Sequence, residues 1–95
     1  MKNKTKAERQ HLAKVAEMGC IACQVIGYYD TPAEIHHIRT GMGMGQRNDN
    51  YHVIPLCAIH HRQGPDAIHV SKKNFETMFG TEAQLLEIVS GRIAA

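Results

Sequence analysis

Val53-Ile54-Pro55-Leu56-Cys57-Ala58-Ile59-His60-His61 joins an apolar strand to two ligand-type side chains, Cys57 and His60, set two residues apart. A second pair with the same spacing, Cys20-Ile21-Ala22-Cys23, lies upstream, and the doublet His36-His37 falls between the two pairs. Each pair presents two borderline ligands from one tight knuckle, which is how a tetrahedral zinc site is assembled. Two such pairs tie the ends of the intervening segment to one ion. Cys20, Cys23, Cys57 and His60 are therefore expected to hold a structural zinc. Taken alone, Cys20 and Cys23 also read as small buried hydrophobes or as a redox pair. The second pair argues against the redox reading, because redox motifs need no further ligands.

A chain of 95 residues is expected to form one domain, and a small one. At this size folding buries only roughly 60–65% of the unfolded chain's surface, so an apolar core alone leaves a thin margin. With no Trp, two Phe and three Tyr, large aromatic anchors are scarce, and a structural metal supplies what the core lacks. Three cysteines cannot all pair as disulfides, and Met1 is followed by a lysine-rich polar stretch rather than an apolar signal. No apolar run approaches the ~20 residues of a membrane span. The expectation is a cytoplasmic protein with reduced thiols and no membrane partner. Neither composition nor motif specifies an oligomeric state.

The net charge of +2 does not identify a nucleic-acid binder, but its distribution says more. Lys2, Lys4, Lys6, Arg9 and Lys14 crowd the first segment against Glu8 and Glu17, and Arg39 and Arg47 flank a glycine-rich loop. Lys6, Arg9, Arg39 and Arg47 are thus candidate phosphate contacts that carry no sequence preference. The basic arm alone reads equally well as a solubilising face.

Thr5-Lys6-Ala7-Glu8 fits a capping box, and Leu12, Val15 and Ala16 recur at helical spacing, which predicts a helix over 6–18 ended by Gly19. Tyr28 to Pro32 reads as a turn, Ala33 to Arg39 as a short strand, Thr40 to Asn50 as a loop with glycines at 41, 43 and 45, and Tyr51 to Leu56 as a second strand. His60 to Gln63 begins a helix that Gly64-Pro65 stops. Ser71 caps a helix near 72–79, and Thr81 caps another near 82–90. The whole predicts one α+β domain, 1–95, with a core at 20–70 between an N-terminal helix and two C-terminal helices.

Adjacent side chains on a strand point to opposite faces, so one imidazole of His36-His37 can face a metal while the other faces substrate. That division suits a nuclease, where one histidine ligates a divalent ion and the other accepts a proton from water. The alternative is a pair of surface histidines on an edge strand. His11, on the first helix, reads as a surface residue.

The order of parts resembles the HNH endonuclease family: Cys-x-x-Cys, a strand carrying Glu34-Ile35-His36-His37-Ile38, a glycine-rich loop, then Val53 to His61. The resemblance covers roughly residues 20–70 and implies a zinc-stapled ββα-metal unit. The subgroup it most resembles is that of the phage Ref-type, RecA-dependent nucleases, which are small and histidine-rich. It implies a DNA substrate and a RecA-type filament as partner.

Carried over by position, the resemblance makes His37 the general base, and His36 and His61 ligands of a catalytic ion. Many members place a further histidine where this chain has Pro65, so His69 is the nearest substitute and Asp66 its rival. The family's asparagine falls at His52, leaving that bracing role to His52, or to Asn50 in a shifted register, with Asn48 also close by. The implied cofactors are structural Zn²⁺ and a catalytic Mg²⁺ or other divalent ion. The implied function is metal-dependent DNA cleavage in phage or prophage recombination. The alternative is a non-catalytic, zinc-stabilised DNA- or protein-binding accessory module.

Overall fold

The computed structural model describes residues 4–39 and 49–94. The chain opens on helix α1, Lys6–Glu17. Its capping box is complete, with Thr5 N–H donating to Glu8 Oε1 at 2.8 Å and Glu8 N–H to Thr5 Oγ1 at 3.1 Å. Val15 is the buried point of this helix, supported by partly buried Leu12 and Met18. Gly19 then turns the chain at φ +79, where a Cβ would press on the carbonyls of Tyr29 and Thr31 at 3.1 Å. Only glycine suits both the left-handed backbone and that close approach.

Next comes a short helix where the sequence shows only a ligand knuckle. In this helix, α2 (Ile21–Val25), Cys20 is the N-cap and its Sγ accepts from Cys23 N–H at 3.4 Å. The three-residue spacing thus turns both thiols to one side.

Strands β1, Glu34–His37, and β2, Val53–Leu56, form an antiparallel pair in the register Glu34↔Leu56, Ile35↔Pro55, His36↔Ile54, His37↔Val53. Both are shorter than the sequence predicts. Residues 33, 38 and 39 lie outside β1, and 51 and 52 outside β2. All four β2 residues are buried, because α1, α2 and α4 pack against this strand. Pro55 is tolerated because a two-stranded sheet has only edge strands.

After Cys57 the chain makes a five-residue π-helical turn, Ile59–Gln63, in place of the expected α-helical start. Gly64 N–H closes it on Ile59 O at 2.8 Å, an approach so tight that a Cβ on Gly64 would lie 2.8 Å from that same oxygen. Gly64-Pro65-Asp66 then folds the chain back on itself. Ile68 N–H donates to His60 O at 2.9 Å and His69 N–H to His61 O at 3.1 Å.

Helix α3, Lys72–Phe79, is capped by Ser71, whose Oγ accepts from Asn74 N–H. Thr81 Oγ1 accepts from Gln84 N–H at the start of α4, Glu82–Ala94, which runs through Gly91 and past the expected end at 90. The core comprises Val15, Ile21, Val53, Ile54, Leu56, Phe75, Leu85, Val89 and their neighbours, centred on β2. Among the described residues, no helix is long and apolar enough to cross a membrane.

Candidate metal centres

Two clusters of ligand-type side chains form among the described residues: Cys20, Cys23, Cys57 and His60 in one, His36, His61 and His69 in the other.

The first cluster unites the N-terminus of α2 with the turn after β2. Cys23 Sγ lies 3.8 Å from Cys57 Sγ and 3.4 Å from His60 Nδ1, and that nitrogen lies 3.2 Å from Cys57 Sγ and 3.7 Å from Cys20 Sγ. Ligands at the usual Zn–S and Zn–N lengths stand about 3.6–3.8 Å apart on a tetrahedron. The cluster therefore has the size and the donor set that zinc requires. All three thiols are free and buried. Burial pushes the Cys20 thiol up to about 12, and it lowers the pKa of His60 as well. Both shifts disfavour the charged form, thiolate at Cys20 and imidazolium at His60, and a central cation would reverse the thiol shift by direct attraction.

The second cluster lines a shallow pocket of about 210 Å³ with Ile35, His37 and Arg39. His36 is buried, His61 half-buried and His69 exposed, and their ring centroids are 4.7–5.1 Å apart. His61 Nε2 and His69 Nε2 approach to 3.0 Å. Two nitrogens held at ~2.1 Å in adjacent octahedral positions are separated by about that distance. Burial lowers the pKa of His69, and neighbouring His36, His61 and Arg39 lower it further, which favours the neutral form that ligation requires.

Two carboxylates that the sequence reading assigned no role orient these rings. His36 Nε2 donates to Glu82 Oε2 at 2.7 Å, and His61 Nδ1 donates to Glu34 Oε1 at 2.8 Å. A carboxylate accepts, so in the neutral rings the lone pairs fall on Nδ1 of His36 and Nε2 of His61. Arg62 also grips Glu34, its Nη2 donating to Oε2 at 2.7 Å. Together Arg62 and His61 hold the Glu34 carboxyl down at about 2, well below the ordinary range.

His37 turns toward α1. Its Nε2 lies 2.9 Å from Asn50 Oδ1, and Asn50 Nδ2 donates to Glu8 Oε2 at 3.0 Å. Glu8 thus fixes which end of the Asn50 amide meets His37. That end is an acceptor, so a neutral His37 carries its proton on Nε2 and its lone pair on Nδ1. His52 points elsewhere: it is exposed and bonded to Asp49 Oδ1 at 2.8 Å. The side chain that meets His37 is therefore Asn50 and not His52. Asp66 accepts from Asn74 Nδ2 at 3.2 Å, outside the histidine cluster. His11 stacks obliquely on Tyr51.

A family model described as recombination enhancement, RecA-dependent nuclease, matches residues 4–94. The chain belongs to that family. The match spans both clusters and both terminal helices. Its description implies nuclease activity in recombination, with DNA as substrate and dependence on RecA. No curated protein matches the chain significantly.

Of the basic residues singled out in the sequence, Arg39 lines the histidine pocket. Lys6 and Arg9 lie exposed on α1, and Arg9 Nη1 donates to Lys4 O at 2.7 Å. Arg47, Asn48 and the glycines at 41, 43 and 45 lie outside the described residues. The roles of Glu8, Glu34 and Glu82 had little to announce them. Glu34 shares a strand face with His36 by alternation, but its partner His61 is 27 residues away. Glu82 is 46 residues from His36, and no local motif links the two.

Proposed function

We propose that this RecA-dependent nuclease is a metal-dependent DNA endonuclease of the HNH, ββα-metal type. In this reading β1, β2 and the turn Ile59–Gln63 form the ββα-metal unit, and Cys20, Cys23, Cys57 and His60 staple it with zinc. The observation that carries the proposal is the convergence of His36, His61 and His69 in one pocket with His37, whose Nε2 is held by Asn50.

His36, His61 and His69 would hold a divalent ion, Mg²⁺ or a transition metal. When bound, such an ion stabilises negative charge developing on the scissile phosphate and its leaving oxygen. His37 does the proton work. Its Nδ1 accepts a proton from the attacking water, whose oxygen bonds to phosphorus as the 3′ oxygen departs. Asn50 holds the ring through Nε2, and the bond strengthens as that proton becomes more acidic in the imidazolium. Arg39, at the pocket rim, contacts a backbone phosphate. Lys6 and Arg9 extend the basic track along α1, with Arg47 as a further candidate in the loop.

Nicking of supercoiled plasmid by the zinc-loaded chain tests this reading, with Mg²⁺ or Mn²⁺ added and with or without RecA filaments. Open-circle product that requires the added ion is expected. No cleavage under any of these conditions would instead favour a zinc-stabilised binding module that holds DNA or a protein without cutting.

A further inference from the structure

Glu82 is almost wholly buried, yet three different parts of the fold converge on it. Its Oε2 accepts from His36 Nε2 at 2.7 Å, and both carboxylate oxygens lie within 3.3 Å of Arg39 N–H. Lys72 Nζ stands 3.6 Å from Oε1. The carboxylate occupies the first turn of α4, where the helix dipole favours negative charge. A buried carboxylate at a helix start satisfies no apolar need. It persists only where charged and hydrogen-bonding partners offset its desolvation.

We propose that Glu82 is a positioning residue of the three-histidine centre: by accepting Nε2–H it selects the His36 tautomer whose Nδ1 faces a transition-metal ion. This deepens the nuclease reading above and rests on it. The geometry separates this role from ordinary packing. Imidazole has two nitrogens, and a ring free to exchange its proton offers the wrong one part of the time. A carboxylate partner on the far nitrogen removes that choice and raises the basicity of the near one. Glu34 does the same for His61, so two of the three rings are held by carboxylates, one from β1 and one from α4. Such a set of neutral imidazoles suits Co²⁺, Ni²⁺ or Zn²⁺ better than Mg²⁺, which prefers oxygen donors. The bond to Arg39 N–H adds a second consequence. The same carboxylate that sets the metal ligand also fixes the backbone from which the Arg39 side chain reaches the pocket rim.

The test is calorimetric titration of Co²⁺ into the full chain already loaded with one equivalent of zinc, together with ¹⁵N spectra of the histidine rings. Wild-type protein is expected to show His36 as the single Nε2–H tautomer before cobalt is added. Glu82→Gln is expected to weaken cobalt binding by about 10–100-fold and to mix the His36 tautomers. Glu82→Asp, which retains the charge, is expected to recover part of the affinity. A His36 that carries its proton on Nδ1 in the wild-type protein overturns the proposal, whatever the folding of the variants. So does a folded Glu82→Gln protein that binds cobalt within twofold of wild type. His36→Ala separates the two levels. If it loses cobalt while Glu82→Gln keeps it, only the positioning role fails; if His36→Ala also binds normally, the three-histidine centre itself fails.

Discussion

Asn50 Oδ1 and His37 Nε2 meet at 2.9 Å, and this contact decides which nitrogen of His37 is left to accept a proton. The amide is in turn fixed by Glu8, so the N-terminal helix reaches the candidate base through one side chain.

Removing that brace should slow cleavage without abolishing it. One hydrogen bond contributes about 0.5–1.5 kcal/mol, so Asn50→Ala is expected to reduce the nicking rate on the order of tenfold. His52→Ala should cost less, because His52 is exposed and bonded to Asp49. Single-turnover rates of the two variants on one substrate check this. A larger loss from His52→Ala would assign the bracing role to that residue.

The cysteine cluster should dominate stability. Structural zinc contributes roughly 10–16 kcal/mol of apparent binding energy in small zinc-binding peptides. That exceeds the ~5–15 kcal/mol stability of an ordinary domain. Cys57→Ser, or exhaustive chelation of the wild type, is therefore expected to remove most helical circular dichroism and the cooperative thermal transition. A well-folded, metal-free Cys57→Ser protein would exclude a structural zinc.

Glu34 makes a pH prediction of definite sign. Its carboxyl is held at about 2 in the folded protein, below its ordinary 4.5, by Arg62 and His61. Stability gained this way is fully present above about pH 4.5 and is lost as pH falls from there toward 2. The urea midpoint of wild type should exceed that of Glu34→Gln by a constant margin at neutral pH. That margin should narrow only below about pH 4.5. Matched urea titrations down the pH scale measure it, and a margin that widens on acidification contradicts the pairing.

Arg39 should contribute one phosphate contact. For duplex DNA each such contact adds about 0.9 to the slope of log affinity against log salt. Arg39→Ala is expected to flatten that slope by about one, uniformly across sequences. Fluorescence anisotropy over a salt series reads it directly, and an unchanged slope removes Arg39 from the DNA track.

Much of this arrangement is legible in the sequence where the signal is local. The helix starts at Thr5, Ser71 and Thr81 follow from side chains that cap their own backbone. The pair spacing marks Cys20, Cys23, Cys57 and His60, whereas His36, His61 and His69 stand out only through the family resemblance. Short or non-local features were harder to read. Ile21–Val25 is too short to show helical periodicity. The wide turn at Ile59–Gln63 depends on Gly64 lying against Ile59, a packing fact rather than a pattern. Glu82 reads as a routine first-turn acid on α4. Only the tertiary packing of α4 against the strand pair makes it a partner of His36.

The central claim is that His37 is the base of a metal-dependent nuclease. Its most direct test is cleavage by His37→Ala protein that retains one zinc and one cobalt ion per chain by elemental analysis. The account predicts a rate about 10²–10⁴-fold below wild type at saturating metal. Cleavage at the wild-type rate by that fully metallated variant would contradict it.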